Sequence, residues 1–480
     1  MGSRVCVEPI FDIDRQRKNG MENKKSVFKT EINMSGIFTK IPENLYSILA
    51  AVGGGLLIVA PAVMAVLAMI KRDVDFTVLV YPVIIKNIVF PISSVLFFAA
   101  VLLYIFRLIY QKKRFVEIIK ENPVIVIFAI TAFWMIISQI VNGFGYAFFG
   151  YHVAAREETY VMQLCYMLIL LPGAALIKNG KYKLYLVRTH ICVSILLVIA
   201  AFVLWKAQET STFFSDWTPR FSSIFTNTNY YGYYLAISIP LCAASFVSEQ
   251  KLPFKILGIA GLIINTVALS YDNTMGAWVA CTAAMILMFI IYTIVRRRVS
   301  VLSIIVTVIF IFCLILTGYL NGNFEANMAE LLGDVVKVIE QSENVNGAGS
   351  GRWAIWKKCI ELILKSPVFG IGFEGISFRT LLDTVGNYRP HNEFLQYALF
   401  YGIPASVLYF CGCVGVFLRG LKKRATVEYP TLICLLGAFG YLVSSVFGLS
   451  LYCTTPFLFV FLGMGYADGN APEQKPVVLN

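Results

Sequence analysis

The sequence predicts an all-α polytopic membrane protein with about 12 transmembrane helices, and its composition and its apolar runs carry that prediction. Of the 480 residues, 58% are hydrophobic and only 14% are charged. The mean hydropathy is +0.73. Soluble proteins carry roughly 25% charged residues. The apolar residues are also gathered into runs of about 20, the length that a helix needs to cross a bilayer.

Reading the chain by that length gives twelve candidate spans and one long polar interval between them. The spans lie near 46–70, 88–110, 123–141, 160–177, 186–205, 230–247, 254–271, 275–295, 300–318, 393–418, 430–450 and 452–467. The expected division is a cytoplasmic N-terminal segment at 1–45, helices one to nine over 46–318, a large extracytoplasmic loop at 319–392, helices ten to twelve over 393–467 and a cytoplasmic tail at 468–480.

The distribution of Lys and Arg predicts the orientation of the spans. Placing the N-terminus inside puts most of the 40 basic residues into cytoplasmic segments, including the run Arg296-Arg297-Arg298. Short cytoplasmic loops are enriched in these residues, whereas long loops cross the membrane largely regardless of charge. Both termini are therefore expected inside and the loop 319–392 outside. The same rule accounts for the net charge of +12, so we expect no nucleic-acid partner.

The cysteines and the N-terminal segment give no sign of a disulfide framework or of a cleavable signal peptide. The eleven Cys residues are scattered, mostly within apolar runs, and are expected to be packing residues without a disulfide framework. The first 45 or so residues are polar, which does not fit a cleavable signal peptide. Met21 is an alternative start of the chain.

Two helices are predicted within the long loop, at 325–341 and 351–365, from apolar residues at helical spacing. Ser350 is the expected N-cap of the second helix, and Pro367 lies just beyond its end. Its expected apolar face consists of Trp353, Trp356, Ile360, Ile363 and Leu364. Such a face suits a helix in the headgroup layer or a helix packed over the membrane core.

Two arginines are candidate ligands for an anion. Arg352 falls in the first turn of the second predicted loop helix, where unpaired N–H groups and the helix dipole favour negative charge. A guanidinium there adds a bidentate fork for phosphate oxygens. Arg220 lies in another predicted outer loop, shortly before a span. The alternatives are a surface arginine at Arg352 and an arginine reaching the interface from a helix end at Arg220.

His391 is the candidate base, because an imidazole takes up a proton near neutral pH. It lies at the predicted outer mouth of span ten, beside Arg389 and Asn392. A histidine in a loop is often structural, and that alternative stays open. Glu393 and Asp383 are rival bases.

Two further patterns have competing interpretations. Asn227 and Asn229, followed by a cluster of tyrosines, suit either an aromatic belt at the interface or a sugar site. Gly370, Gly372 and Gly375 match G-x-G-x-x-G, but no preceding strand or βαβ context supports a dinucleotide site. We expect these glycines to form a tight turn. Because no zinc signature, P-loop or nucleophile elbow is found, we expect no cofactor.

The combined motifs resemble those of the O-antigen ligase and O-antigen polymerase superfamily, over roughly 215–410. They are Arg220-Phe221 through Phe225, Asn227, Asn229, Gly232 and Pro240, then Ser350-Gly351-Arg352, Trp356, Pro367-Val368-Phe369-Gly370-Ile371-Gly372, His391-Asn392-Glu393-Phe394-Leu395-Gln396 and Tyr401-Gly402. Three positions depart from the usual pattern. Ser222 and Ser223 replace a common Gly, and Met275 replaces an Arg.

The resemblance implies a metal-independent inverting glycosyltransferase of the GT-C type in a bacterial cytoplasmic membrane, acting on its outer face. The implied donor is a glycan on undecaprenyl pyrophosphate, and the acceptor is a hydroxyl of a glycan, a lipid or a wall polymer. By this resemblance Arg220 and Arg352 would bind the pyrophosphate and His391 would activate the acceptor. Asn229, Arg389, Asn392 and Glu393 are candidate supporting residues. Ligase and polymerase remain equally open.

A transporter is the competing hypothesis, for example a lipid-linked glycan flippase or a polysaccharide transporter. Such proteins carry charged or broken helices at the membrane midplane, often with repeat symmetry. The predicted spans here are nearly free of charge, and the polar residues gather in one unrepeated loop. The sequence therefore favours the enzyme.

Overall fold

The computed structural model describes residues 42–71, 80–143, 158–209, 221–225, 227–296, 299–339, 349, 351–373, 389–422 and 428–467. All regular structure within these residues is helical. The helices are α1 (Glu43–Lys71), α2 (Tyr81–Tyr110), α3 (Phe115–Glu121), α4 (Pro123–Asn142), α5 (Tyr160–Ala174), α6 (Gly180–Glu209), α7 (Thr228–Ser248), α8 (Leu252–Asp272), α9 (Met275–Arg296), α10 (Val301–Leu320), α11 (Asn323–Ile339), α12 (Arg352–Lys365), α13 (Glu393–Tyr401), α14 (Ile403–Lys422), α15 (Tyr429–Ser444) and α16 (Thr455–Tyr466).

The described helices confirm the predicted fold class. Ten of them are long and apolar enough to cross a membrane: α1, α2, α4, α6 to α10, α14 and α15. Two shorter apolar helices, α5 and α16, coincide with the fourth and twelfth predicted spans. The two helices expected in the long loop are α11 and α12. The orientation of the spans stays a prediction, and the segments 1–41 and 468–480 lie outside the described residues.

The tenth predicted span, 393–418, is two helices rather than one. α13 ends at Tyr401 and α14 begins at Ile403. Gly402 between them has a φ of +88°, and a Cβ added there would lie 2.0 Å from the carbonyl oxygen of Val368. Only glycine accepts both the positive φ and the close backbone. The break separates a short helix that carries the candidate site from the helix that spans the membrane.

The centre of the bundle is α7. It packs against α6, α8, α9 and α15. Of its most apolar stretch of 18 residues, 94% is buried inside the protein. Most other spans leave a large part of their apolar surface free for lipid, as expected when lipid tails are as apolar as the side chains. The helix is buried from Tyr231 to Ser245, whereas its first residues are half-buried, so a site at this end of the bundle is partly open.

Small residues let α7 and α15 approach closely. A Cβ added to Gly440 on α15 would lie 2.0 Å from the carbonyl oxygen of Ala236 on α7, and one added to Gly437 would lie 2.6 Å from Leu241 Cγ. Close backbone contact through small residues is a main source of helix association in membranes, where no hydrophobic driving force acts between helices.

Replacing Gly440 with Ala is expected to destabilise the protein by about 1–3 kcal/mol or more, the usual cost of overpacking. The clash is with a backbone oxygen, so no change of rotamer relieves it. Gly333→Ala on α11 is the matched control, because a Cβ added to Gly333 would meet no described atom within 4 Å. Thermal unfolding of the purified protein in detergent measures both variants. Equal melting temperatures would contradict the packing argument.

Candidate functional site

One cavity brings together residues from distant parts of the chain, and we call it the His391 cavity. It has a volume of about 130 Å³. Its lining residues are Asn227, Asn229, Tyr230, Tyr233, Arg389, His391 and Leu449. Three of them, Asn229, Arg389 and His391, are predicted site residues.

The start of α7 forms one wall of the His391 cavity. Asn227 is the N-cap of this helix, and its side-chain oxygen accepts a hydrogen bond from the backbone N–H of Asn229 at 2.9 Å. An asparagine in this position satisfies a backbone donor that the helix leaves unpaired. Tyr233, one turn further, donates its hydroxyl to the carbonyl of Phe447 at 3.2 Å. The cap and this hydrogen bond hold the wall in place.

His391, two residues before α13, lines the same cavity. Asn392 is the N-cap of α13, and its side-chain oxygen accepts a hydrogen bond from the N–H of Leu395 at 3.0 Å. His391 has a φ of +49°, in the left-handed region that residues other than glycine seldom adopt. Such a conformation costs on the order of 1–3 kcal/mol and concentrates at functional sites. Asn392 therefore orders the helix start and the strained His391 beside it.

Arg352 is the first residue of α12, as predicted. The residue at the N-cap is Gly351, with a φ of +83° and no side-chain cap, rather than the expected Ser350, which lies outside the described residues. Arg352 is half-buried. Its charge acts on both His391 and Tyr233, so its guanidinium lies near the His391 cavity.

Trp356 joins the helix of Arg352 to the loop of His391. Its indole N–H donates to the carbonyl of Pro390 at 2.8 Å, one residue before His391. The indole ring also faces the ring of Phe447, with centroids 6.5 Å apart. This contact fixes the start of α12 relative to the start of α13.

The buried face of α12 differs from the predicted one. Its buried residues are Ile355, Cys359, Leu362 and Ile363. Of the predicted stripe, Ile363 is buried and Trp356 is half-buried, whereas Ile360 and Leu364 are exposed. α12 packs over the protein and still presents apolar side chains on its outside.

Arg389 is held within a buried polar network. It is 1% exposed, and one guanidinium nitrogen donates to the carbonyl of Ser450 at 3.4 Å. The Ser450 hydroxyl accepts from Gln396 at 2.9 Å and from Gln163 at 3.2 Å. Gln163 in turn donates to the carboxylate of Glu158 at 3.2 Å. Burial raises the pKa of that carboxyl, and the charge of Arg389 opposes the rise.

Glu393 lies behind the cavity rather than in its wall. Its side chain is fully buried, and its carboxylate accepts a hydrogen bond from the Tyr409 hydroxyl at 2.9 Å. It is not among the lining residues. Glu393 is therefore suited to holding α13 against α14, and His391 is the better placed of these two candidate bases.

The environment of His391 is positively charged. Burial, followed by the charges of Arg352 and Arg389, lowers the pKa of His391 to about 4. The ordinary value is about 6.5. The imidazole is therefore neutral at neutral pH and has a lone pair with which to accept a proton. A bound anion would offset the two guanidinium charges and raise this pKa.

The predicted tight turn at Gly370 and Gly372 closes the other end of α13. The N–H of Ile371 donates to the carbonyl of Leu399 at 2.9 Å, and the N–H of Gly372 donates to that of Phe400 at 3.0 Å. Both glycines have positive φ angles. The indole of Trp134 on α4 donates to the carbonyl of Tyr401 at 3.1 Å. These bonds satisfy the carbonyl groups that a helix end leaves unpaired.

Several predictions cannot be placed. Arg220, Asp383 and Gly375 lie outside the described residues, so the convergence of Arg220 with Arg352 and His391 stays a prediction. Among the residues that the structure describes, no three or more His, Cys, Asp or Glu side chains are grouped to hold a metal ion.

Four lining residues carry weaker signals in the sequence. Asn227, Tyr230 and Tyr233 belong to the Asn and Tyr cluster that suited either an aromatic belt or a sugar site. Leu449 lies in an apolar stretch and carries no recognisable signal. The helical period of α7 does place Tyr230 and Tyr233 one turn apart on the same face, which could have marked them as neighbours.

Trp356→Phe tests the connection between α12 and α13. Phenylalanine keeps an aromatic ring but loses the N–H donor to Pro390, a bond worth about 0.5–1.5 kcal/mol. We expect a several-fold loss of activity with little change in melting temperature, because Arg352 and His391 would lose their fixed spacing. Trp353→Phe is the matched control, since the Trp353 indole N–H has no hydrogen-bond partner among the residues that the structure describes. Equal activities of the two variants would contradict the positioning role.

Comparison with known proteins supports the predicted relationship. The family model described as O-antigen ligase matches residues 260–410. This region contains Arg352, Arg389 and His391, whereas the start of α7 lies before it. The chain has no match among curated protein sequences. Together with the membrane-spanning helices, the match confirms the predicted resemblance of this protein to the O-antigen ligase and polymerase superfamily.

Proposed function

We propose that the protein is a membrane glycosyltransferase that moves a glycan from undecaprenyl pyrophosphate to an acceptor hydroxyl at the outer face of the bacterial cytoplasmic membrane. The observation that carries the proposal is the His391 cavity. In this cavity the neutral imidazole of His391 lies with Arg389, and Arg352 is close enough for its charge to lower the pKa of His391. This combination provides a base beside positive charge, as transfer from a pyrophosphate requires.

The positive charge suits a pyrophosphate leaving group. When the glycosidic bond breaks, negative charge develops on the departing phosphate oxygen, and preorganised cations stabilise that charge. Arg352 acts from the first turn of α12, where backbone N–H groups and the helix dipole also favour an anion. Arg220 is the second proposed pyrophosphate ligand and Arg389 a supporting one.

The proposed reaction is a single displacement. The acceptor hydroxyl gives its proton to the neutral imidazole of His391 while its oxygen attacks the anomeric carbon. The bond from that carbon to the pyrophosphate oxygen breaks, and the electron pair leaves with undecaprenyl pyrophosphate. One displacement inverts the anomeric configuration. The energy comes from the donor bond, so no nucleotide is required.

Donor binding would also prepare the base. Burial and then the neighbouring guanidinium groups lower the pKa of His391 to about 4, which makes it a weak base. The negative pyrophosphate would offset those charges and raise the pKa towards neutrality, where general bases work best. Proton transfer would therefore become efficient only when the donor is in place.

Reconstitution of the full chain in nanodiscs tests the proposed function. The probe is lipid-linked glycan extracted from cells that make it, in buffer with excess EDTA, because we predict a metal-independent reaction. Mass spectrometry should show glycan joined to an acceptor and undecaprenyl pyrophosphate released. Movement of the intact lipid across proteoliposome membranes without transfer would instead support a flippase or transporter.

The same assay separates ligase from polymerase. With lipid-linked glycan as the only substrate, a polymerase should yield a ladder of lengthening lipid-linked products. A ligase should yield product only when a different acceptor is added, such as a lipid core or a wall polymer. The presence or absence of the ladder decides between them.

A further inference from the structure

The helix α11 begins where two membrane spans end. The span α10 ends at Leu320, and α11 begins at Asn323. The side-chain amide of Asn323 donates to the carbonyl of Ser270 at 2.9 Å, and that of Asn327 donates to the side-chain oxygen of Asn273 at 2.6 Å. Ser270 and Asn273 lie at the end of the span α8. The first turns of α11 are therefore fixed at the membrane boundary.

The second half of α11 carries an apolar row that points away from the protein. Leu332, Val336 and Ile339 are 63%, 48% and 75% exposed, and we call these three residues the α11 row. Their spacing of four and three residues places them on one side of the helix. Asn327, which is buried, marks the side that contacts the protein. At 3.6 residues per turn, every member of the α11 row points about 120–180° away from Asn327.

The helix α12 repeats this arrangement. Cys359 lies in the middle of its buried face, whereas Ile360 and Leu364 are 47% and 69% exposed. By the same geometry, these two side chains point about 100–140° away from Cys359. The outer side of a helix that only covers a protein core is normally polar. Apolar rows on the outer side of both helices therefore indicate an apolar environment on that side.

The end of α10 identifies this environment as lipid. Phe312 and Tyr319 lie two turns apart on one side of α10 and are both exposed. An apolar side that a span turns away from the bundle contacts acyl chains, and a tyrosine at the end of such a side is typical of the membrane interface. The lipid-facing surface of α10 thus leads directly into α11. The apolar face of a helix at this level lies between the headgroups and the acyl chains.

From these observations we infer that the α11 row, together with Ile360 and Leu364 of α12, is a lipid-binding surface. The partner is the bilayer itself, and α11 and α12 lie in its headgroup layer. They do so on the side of the membrane that holds the His391 cavity, because a Cβ added to Gly232 at the start of α7 would lie 2.9 Å from the carboxylate of Asp272 at the end of α8. This inference goes beyond the proposed function and does not depend on it.

Contact with lipid at α11 also sets the level of Arg352. The carboxylate of Asp334 on α11 accepts a hydrogen bond from the N–H of Gly349 at 2.7 Å. The carbonyl of Gly349 accepts a hydrogen bond from the N–H of Arg352 at 3.1 Å. The start of α12 is therefore tied to a helix that lies on the bilayer, which keeps Arg352 near the level of the lipid phosphate groups.

Photo-crosslinking tests the lipid-binding surface. p-Benzoylphenylalanine is incorporated at one position at a time into the full chain, which is then irradiated in nanodiscs of phosphatidylethanolamine and phosphatidylglycerol. Val336 and Leu364 are the test positions, and Phe312 on α10 gives the reference yield of lipid adduct. Glu330 on α11 and Lys365 on α12 are the matched controls, because both are exposed and point at least about 100° away from the apolar row of their own helix. Melting temperatures verify that each variant folds.

Mass spectrometry of the intact protein separates the outcomes. At Val336 and Leu364 we expect lipid adducts within about threefold of the yield at Phe312. At the two control positions the yield should be about tenfold lower. Equal yields at Val336 and Glu330 would overturn the inference. So would a covalent dimer or an adduct with another protein in place of the lipid adduct at Val336, because the α11 row would then bind a protein surface. Glycan transfer is not measured in this experiment, so a failure of the proposed function leaves its result readable.

Discussion

His391→Asn is expected to reduce the transfer rate by about 10²- to 10⁴-fold, the usual contribution of a general base. Asparagine is the appropriate replacement because it tolerates the left-handed φ of +49° at this position. It lacks a group that takes up a proton near neutral pH. The rate of glycan transfer by the purified protein measures the effect, and the affinity for sugar-free undecaprenyl pyrophosphate should be nearly unchanged. A variant with wild-type transfer rate would remove His391 from the mechanism.

The pH profile of the wild-type protein gives an independent measure of the same base. Activity should be lost as the pH falls through the pKa of His391, because the protonated imidazole cannot accept a proton. The profile of kcat/KM reports the free enzyme and that of kcat the donor complex. With a pKa of about 4 in the free protein, the acid limb of kcat/KM should lie well below that of kcat. Coincident limbs near pH 6.5 would show that burial and the two arginines do not lower the pKa of this histidine.

Arg352→Ala is expected to lower the transfer rate by on the order of 10²- to 10³-fold, as loss of one group that stabilises developing negative charge does elsewhere. It should also weaken donor binding. Lys357→Gln is the matched control on the same helix, because Lys357 is an exposed cation that does not line the His391 cavity. Transfer rate and donor affinity are measured for both variants in nanodiscs.

Arg352→Lys adds a finer test of the same site. Lysine keeps the charge but loses the planar fork that binds two phosphate oxygens at once. We expect its activity to lie between that of Arg352→Ala and the wild type. If Lys357→Gln lowered transfer as much as Arg352→Ala, the effect would come from the total charge of α12 and not from a specific contact.

The helices of this protein could be predicted well because apolar runs of fixed length leave a strong signal. The break between α13 and α14 at Gly402 could not be predicted in this way. It depends on the carbonyl of Val368 lying against Gly402, a contact between residues that only the folded chain brings together. Whether the apolar stripe of α12 faces the headgroup layer or the protein was left open for a similar reason. The bond from the Trp356 indole to the carbonyl of Pro390 joins two residues that no period within the helix relates.

Among the site residues, Arg352 and His391 could be predicted as candidates from local sequence, because each lies next to the start of a helix. Their meeting in space depends on Trp356 and on the packing of α12 against α13. The start of α7, which also lines the cavity, lies more than 100 positions earlier in the chain. The pattern of Asn227 and Asn229 before several tyrosines fits a sugar site and an interfacial belt equally, so the sequence alone does not choose between them.

The break at Gly402 has a mechanical consequence. α13 is fastened at its C-terminal end to the turn at Gly370 and to Trp134 of α4, and a continuous helix does not connect it to α14. The hydrogen bonds from Tyr409 to Glu393 and from Ser406 to the carbonyl of Phe394 still tie α14 to the first turn of α13. A tilt of α14 would therefore reach the neighbourhood of His391 through these side chains and not along a continuous helix.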